Sequence, residues 1–258
     1  ELRNAGIKVP VLAWLHAWDE DFAAAVARNI DLGISTIAQL DHAAEAAKVA
    51  GSKARVHIKV DTGLSRNGVT LAGLSDLLRS AQDLVAQGAI EVIGIFSHLS
   101  STDEASDRIQ IGRFDQALAL AAEYGIEPEL RHLTASDGSM NYPQATYDMV
   151  RIGVALYGLS PFVEHSSADF GLVPAMTATA LITQTKRAPA GEGVSYGYMH
   201  RTSSETTLAL IPVGYAEGLP RNASGNASVA INGKTYAISS RIAMDQFVID
   251  VGNDEVNA

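Results

Sequence analysis

Up to about residue 160 the chain alternates short β-branched runs with longer Ala- and Leu-rich stretches of helical period, the rhythm of repeated βα units around a parallel sheet. The runs "VPVLAWL", "ISTIAQ", "ARVHIKV", "IEVIGIFSHL", "LRHLTAS" and "DMVRIGVALYG" read as strands. Stretches such as "DEDFAAAVARNI", "GLSDLLRSAQDLVAQ" and "RIQIGRFDQALALAAEYG" read as the helices between them. Repetition on this scale without a Gly-rich dinucleotide fingerprint favours a TIM-type (β/α) barrel over a Rossmann sheet. From about residue 172 the texture changes to strands joined by turns such as "NG" and "SGN", with no long helix, which predicts a mainly β domain. The expected division is residues 1–165 for the barrel and 166–258 for the β domain.

With 258 residues, 47% of them hydrophobic, the chain buries a substantial core. A net charge of −10 and only six lysines argue against a nucleic-acid partner, which draws on clustered cations. No run approaches the roughly 18 apolar residues of a membrane span, so no membrane partner and a cytoplasmic home are expected. The absence of cysteine excludes disulfides, thiolate ligands and thiol nucleophiles. Seven histidines show neither HExxH nor another ligand spacing, so no metal is expected. The opening "ELRNAGIKVP" and the close "VGNDEVNA" read as the edges of an internal stretch.

Barrel enzymes place their chemistry at the C-terminal ends of strands. "HIKVDTGLSRNG" brings Lys59, Asp61 and Arg66 to such an end, "GIFSH" brings His98, "RHLTAS" brings His132 and Ser136, and "MVRIGV" brings Arg151. In the β domain the candidates are Tyr196 in "GVSYGY", Tyr215 in "PVGYAEG", and Met244 and Asp245 in "RIAMDQ". Taken singly, each has an ordinary structural reading: a hydrogen-bonded histidine, or an arginine in a surface ion pair. "VDTG" also resembles the active-site loop of aspartic proteases, but those need two such carboxylates and a second copy does not occur here.

Together, "HIKVDTGLSRNGV", "FSHLSSTDE", "HLTASDGSMNYPQATYDMVRIGVALYGLSP", "GVSYG", "PVGYAEGLPR" and "SSRIAMDQFVIDVG" resemble alanine racemases across nearly the whole chain. The resemblance implies a TIM-type barrel lacking its first strand, followed by a mainly β domain. It also implies a pyridoxal 5'-phosphate enzyme that interconverts L- and D-alanine by a two-base mechanism and supplies D-alanine for cell-wall synthesis. Ser136 and the backbone amides of Gly153 and Val154 are expected to hold the phosphate. Arg151 is expected to face the pyridine nitrogen and, being always protonated, to keep that nitrogen unprotonated; His132 lies beside the ring. Tyr196 matches the base acting on L-alanine, contributed across a homodimer and linked to His98 and Arg151. Arg66 and the Met244 backbone match groups that receive the substrate carboxylate, and Tyr215 a gate residue.

Lys59 matches a lysine that carbon dioxide carbamylates; the alternatives are pairing with Asp61 or service as the Schiff-base lysine. No residue of this chain matches the family's Schiff-base lysine, so the stretch by itself is expected to be inactive. Further departures from the family are Ala135 for the usual Asn, Ala243 for Cys and Glu217 for Asp. Alternative readings are a racemase of another small amino acid such as serine, or a non-catalytic pyridoxal-phosphate-binding barrel.

Overall fold

A computed structural model describes residues 1–257 and divides into two units, Glu1–Ala175 and Met176–Ala258. The first is built on β1 (Leu12–Ala13), α1 (Phe22–Ala27), β2 (Asp31–Ile34), α2 (Ile37–Ala50), β3 (Ala54–Asp61), β4 (Val69–Thr70), α3 (Leu71–Ala86), β5 (Ile90–Phe96), α4 (Glu104–Glu123), β6 (Leu130–His132) and α5 (Ser136–Asn141). Its sheet runs β1-β2-β3-β5-β6 with every neighbour parallel, and β4 pairs with β3. This is a half-barrel of βα units, the architecture implied by the alternating pattern.

Helices cover the sheet by burying apolar stripes. Leu74, Leu77, Leu78 and Ala81 form that stripe on α3, and Phe114, Ala117 and Ala121 on α4. Each buried leucine contributes about 1.5–3 kcal/mol relative to exposure. Between the helices lie Val56, Ile58, Val60 and Ile95, all 0–1% exposed. His57 and Lys59 are also buried, so both faces of β3 are covered and its polar residues point into the unit instead of into water.

Two strand expectations are corrected. "ISTIAQ" is the entry to a helix: the strand stops at Ile34, and Thr36 caps α2 by accepting from the Gln39 amide at 3.1 Å. "DMVRIGVALYG" forms no strand. Gly153 and Ala155 give their amides to Ser136 Oγ, and Val154–Tyr157 winds into a 3-10 turn ending at Gly158 with φ +76°.

The first unit runs beyond residue 165. A Cβ on Gly158 would lie 1.8 Å from the Val173 carbonyl oxygen, and the Ala175 amide donates to Tyr157 at 3.0 Å. The His165 ring also meets those of Phe162 and Phe170 edge to face, and those two rings lie tilted against each other. These contacts fasten residues 166–175 to the barrel unit.

The second unit contains β7 (Gln184–Ala188), β8 (Gly193–Val194), β9 (His200–Arg201), β10 (Thr206–Ile211), β11 (Ser228–Ile231), β12 (Lys234–Ala237) and β13 (Phe247–Gly252). An antiparallel sheet β13-β10-β7 and the hairpins β11-β12 and β8-β9 make it mainly β. Phe247, Ile249 and Val251 are buried while their neighbours are not, the period-2 signature of a half-buried strand.

Candidate active site

The parallel register aligns Lys59 with Phe96 and Phe96 with His132, setting three residues in one row at the C-terminal ends of β3, β5 and β6. Phe96 stacks on His132 with ring centroids 4.7 Å apart and on Trp14 at 5.1 Å. Over Trp14 and Phe96 lie two cations: Lys59 Nζ at 5.7 and 5.5 Å, and the Arg151 guanidinium at 5.4 and 5.6 Å from the ring centroids.

Arg151 is held by two neighbouring segments, the ends of β5 and β6. Its Nη1 donates to His132 Nδ1 at 2.7 Å, and its Nη2 lies 2.6 Å from the Ser97 carbonyl, 2.8 Å from that of Leu133 and 3.2 Å from His98 Nδ1. Guanidinium only donates, so both histidines present a bare Nδ1 to it. Burial and then the Arg151 charge push His98 down to about 4 and His132 to about 2, which keeps both imidazoles neutral. Burial lowers Arg151 itself to about 10, still cationic at neutral pH. Its Nε is buried and has no partner among the described residues. The site therefore holds a fixed cation with one unused donor.

Lys59 is 3% exposed, and its ammonium is lowered to about 8 by burial first, then by Arg66 and Arg151. Asp61 offsets this only in part: it forms no ion pair with Lys59, and its Oδ1 accepts from the amides of Gly63 and Ser65 at 2.9 and 3.0 Å. The loop carrying Arg66 then folds back on β3. Gly68, at φ +124°, has the Asp61 amide nitrogen 2.7 Å from where a Cβ would stand, so only glycine fits. From below, Arg113 donates to the Thr62 carbonyl at 3.1 Å. Arg113 had no signal in the sequence, since nothing local distinguishes it from other cations on the face of α4.

Ser136 opens α5 and draws the 153–155 turn toward it: its Oγ accepts from Gly153 N at 2.9 Å and Ala155 N at 3.3 Å. Ser136, Gly153 and Val154 are thus brought together. The Gly153 amide is committed to Ser136, whereas no protein acceptor takes the Val154 amide among the described residues. Ala135 stands at the N-cap and provides no side-chain cap, the local consequence of lacking the family's asparagine. A cavity of about 730 Å³ opens nearby between Asp103, Glu104, Asp107, Asp137 and Glu164, but its carboxylates suit no anion and Arg151 does not line it.

In the second unit Tyr196 is 69% exposed on a turn where Ser195, Gly197 and Tyr198 all take positive φ (55°, 72° and 45°). Gly193 supports it: a Cβ there would stand 2.4 Å from the Tyr198 ring, over whose other atoms the Arg201 guanidinium sits 5.0 Å from the centroid. Tyr215 and Met244 are clamped together. The Tyr215 amide donates to the Ala243 carbonyl at 3.1 Å and the Ala216 amide to that of Met244 at 2.8 Å, while the Met244 amide has no protein acceptor among the described residues. Glu217 accepts from the Gly214 amide at 2.8 Å, so the replacement of aspartate keeps a capping carboxylate. Ala243 enters these bonds through its backbone alone.

Residues 1–161 match the model of the alanine racemase N-terminal domain, and residues 175–258 that of the alanine racemase C-terminal domain. The second match counts against a lone cofactor-binding barrel. The alanine racemase of Frankia casuarinae is 48% identical over 261 residues, spanning 100% of this chain and 68% of the relative. That of Salinispora tropica is 46% identical over 99% of this chain and 68% of its own length. Among solved structures, the alanine racemase from D-cycloserine producing Streptomyces lavendulae superposes with a TM-score of 0.94 at 42% identity, covering 99% of this chain and 68% of that one. The enzyme of Streptomyces coelicolor A3(2) gives 0.93 at 40% identity, over 96% and 66% of the respective chains.

Proposed function

Since this chain belongs to the alanine racemase family, the pyridoxal-phosphate-dependent enzymes that interconvert L- and D-alanine, we propose that its strand-end constellation holds the cofactor and that Tyr196 works as one of the two bases. The observation that carries the reading is the buried, unpartnered Nε–H of Arg151. A donor left unused inside such a network calls for an acceptor, and an aromatic ring nitrogen meets that need. Bound there, pyridoxal phosphate supplies the electron sink that makes the α-proton of alanine removable.

The protein's part is positioning and proton custody. Arg151 offers a hydrogen to the ring nitrogen without surrendering it, because burial leaves its pKa near 10. Ser136 Oγ and the amides of Gly153 and Val154 hold the phosphate; the Val154 amide is uncommitted, and Gly153 shares its hydrogen with Ser136. His132 lies beside the ring as the acceptor for Arg151. Arg66 and the Met244 amide receive the carboxylate of alanine, and Tyr215 stands at the approach. Tyr196, linked to His98 and Arg151, takes the α-proton of the L-isomer and reaches the site of the other subunit in a homodimer. Lys59 carries a carbamate that aims Arg66. Substrate and cofactor of this kind are cytoplasmic metabolites, and the enzyme works there.

The holoenzyme prepared with cofactor labelled with ¹⁵N in its ring tests the central contact. The expected signal is that of an unprotonated, hydrogen-bonded pyridine nitrogen, altered in Arg151→Ala. A protonated ring nitrogen, or a signal indifferent to Arg151→Ala, would overturn the assignment.

A further inference from the structure

Beneath Arg151 a continuous buried chain of polar groups runs from His132 through His57 to Asp31, and the roles above use only its first member. His132 Nε2 lies 3.0 Å from His57 Nδ1, and His57 Nε2 lies 3.4 Å from Asp31 Oδ2. Asp31 accepts from Arg55 through both oxygens, Oδ1 from Nε at 2.8 Å and Oδ2 from Nη2 at 3.3 Å. Asp31, His57 and His132 are 4%, 1% and 0% exposed. The His57 ring occupies the space that Gly94 leaves in the adjacent strand, where a Cβ would fall 2.1 Å from Nδ1. Strand register delivers this arrangement, since His57 is paired with Gly94 and Phe96 with His132.

We propose that Asp31 and His57 are positioning residues for the racemisation: they lock His132 into the tautomer that accepts from Arg151, and so keep the Arg151 fork aimed at the cofactor. This rests on the reading of Arg151 given above. The proton positions follow from the two ends of the chain. Arg151 only donates, so His132 Nδ1 is bare and its single N–H is on Nε2. That N–H points at His57 Nδ1, which must accept, leaving the His57 N–H on Nε2 to meet a carboxylate that only accepts. Burial raises the Asp31 carboxyl, but the bonds from His57 and Arg55 outweigh it and hold Asp31 below the usual carboxylate range, so the acceptor end stays ionised. Each group has one permitted orientation, as in the buried aspartate that fixes a catalytic imidazole tautomer elsewhere.

Removing the charge at Asp31 while keeping its shape reverses the chain. In Asp31→Asn the amide oxygen stays with Arg55 Nε, the shorter of the two Arg55 bonds, and the amide NH₂ takes the place of Oδ2, giving up the 3.3 Å bond from Nη2 and facing His57 Nε2. The His57 proton moves to Nδ1, the His132 proton to its own Nδ1, and two donors confront each other at Arg151. A substitution that frees the amide to turn around, Arg55→Leu, relieves this.

Neutron diffraction of the holoenzyme at neutral pH reads the tautomers directly. Deuterons on Nε2 of both His57 and His132 are expected, and a deuteron on either Nδ1 overturns the proposal without any variant having to fold. In kinetics, Asp31→Asn is expected to lower kcat at least tenfold with KM for alanine changed less than threefold, and Arg55→Leu added to it to restore kcat to within threefold of wild type. A kcat within twofold of wild type for Asp31→Asn, or a double variant as impaired as the single one, refutes the relay. The ring-nitrogen signal of labelled cofactor separates the two ideas: if it shows no contact with Arg151 while the tautomers are as expected, the cofactor assignment fails and the relay stands.

Discussion

A lysine buried against two aromatic rings beside two arginines is in the wrong charge state for its surroundings. Two unit cations 4 Å apart at an effective dielectric near 20 repel by about 4 kcal/mol. Lys59 responds by losing basicity, down to about 8, a loss that Asp61, its Oδ1 turned to backbone amides, offsets only in part. The neutral amine is the form that adds carbon dioxide, shedding a proton to become a carbamate anion that accepts from arginine. Its fraction rises as pH passes upward through about 8. We expect a ¹³C-bicarbonate-labelled holoenzyme to show a carbamate on Lys59 whose occupancy grows from pH 7 to 9. Lys59→Ala should lower kcat/KM, with partial recovery in added chloride. High-resolution density with a bare ammonium and Arg66 unmoved would defeat this expectation.

The two histidines facing Arg151 impose a pH dependence of the opposite kind. Their folded pKa values, about 4 for His98 and about 2 for His132, lie below the unfolded value near 6.5. As pH falls below 6.5 the unfolded chain takes up protons that the native chain refuses. Their stabilisation is therefore complete above about pH 6.5 and declines on acidification, by about 1.4 kcal/mol per pH unit for each histidine. Urea unfolding between pH 7 and 5 should show stability falling with pH, with the slope shallower in His98→Asn. An unchanged slope in that variant would remove His98 from the account.

At the scale of elements, the site depends on what strands leave out. β5 carries glycine at position 94, and the vacancy houses His57 from β3. Gly94→Ala forces a methyl group to within 2.1 Å of that ring, an overpacking that typically costs about 1–3 kcal/mol. The substitution should lower the urea midpoint at constant m-value and, by displacing His57, reduce kcat as well. Wild-type stability and activity together would mean that the ring does not sit there. The amphipathic helices were readable because burial repeats along them, as with Leu74, Leu77, Leu78 and Ala81. The misread segments were short apolar runs, "ISTIAQ" and "DMVRIGVALYG", where periodicity cannot separate strand from helix or turn and where a Thr36 cap or Ser136 hydroxyl decides the outcome.

For the molecule as a whole, the barrel unit carries Arg151 and the β unit carries Tyr196, so a two-subunit site makes a simple demand. In an active enzyme that includes the Schiff-base lysine, chains bearing Arg151→Gln and chains bearing Tyr196→Phe should each be nearly inactive. If Tyr196 serves the other subunit, a mixed dimer has one site free of both substitutions and regains about half the wild-type activity. Isolated heterodimers with no recovered activity would instead place both residues in the same subunit's site.

The sequence by itself determined the class of fold and the residues of the constellation. Alternation of strand and helix patterns is a local property, and motifs such as "HLTASDG" and "GVSYG" name their side chains wherever they fold. Only the tertiary structure decided what those side chains do to one another. Arg151 acquires an idle Nε, His132 becomes an acceptor and Asp61 turns from Lys59 to backbone because strands distant in sequence are placed in register. Asp31 and His57 show this most clearly, being unremarkable in the sequence and joined to Arg151 only through bonds that span 26, 75 and 19 residues. Hydrogen bonds are short-range and directional, so their meaning is settled by where packing puts the donors, which no local pattern encodes.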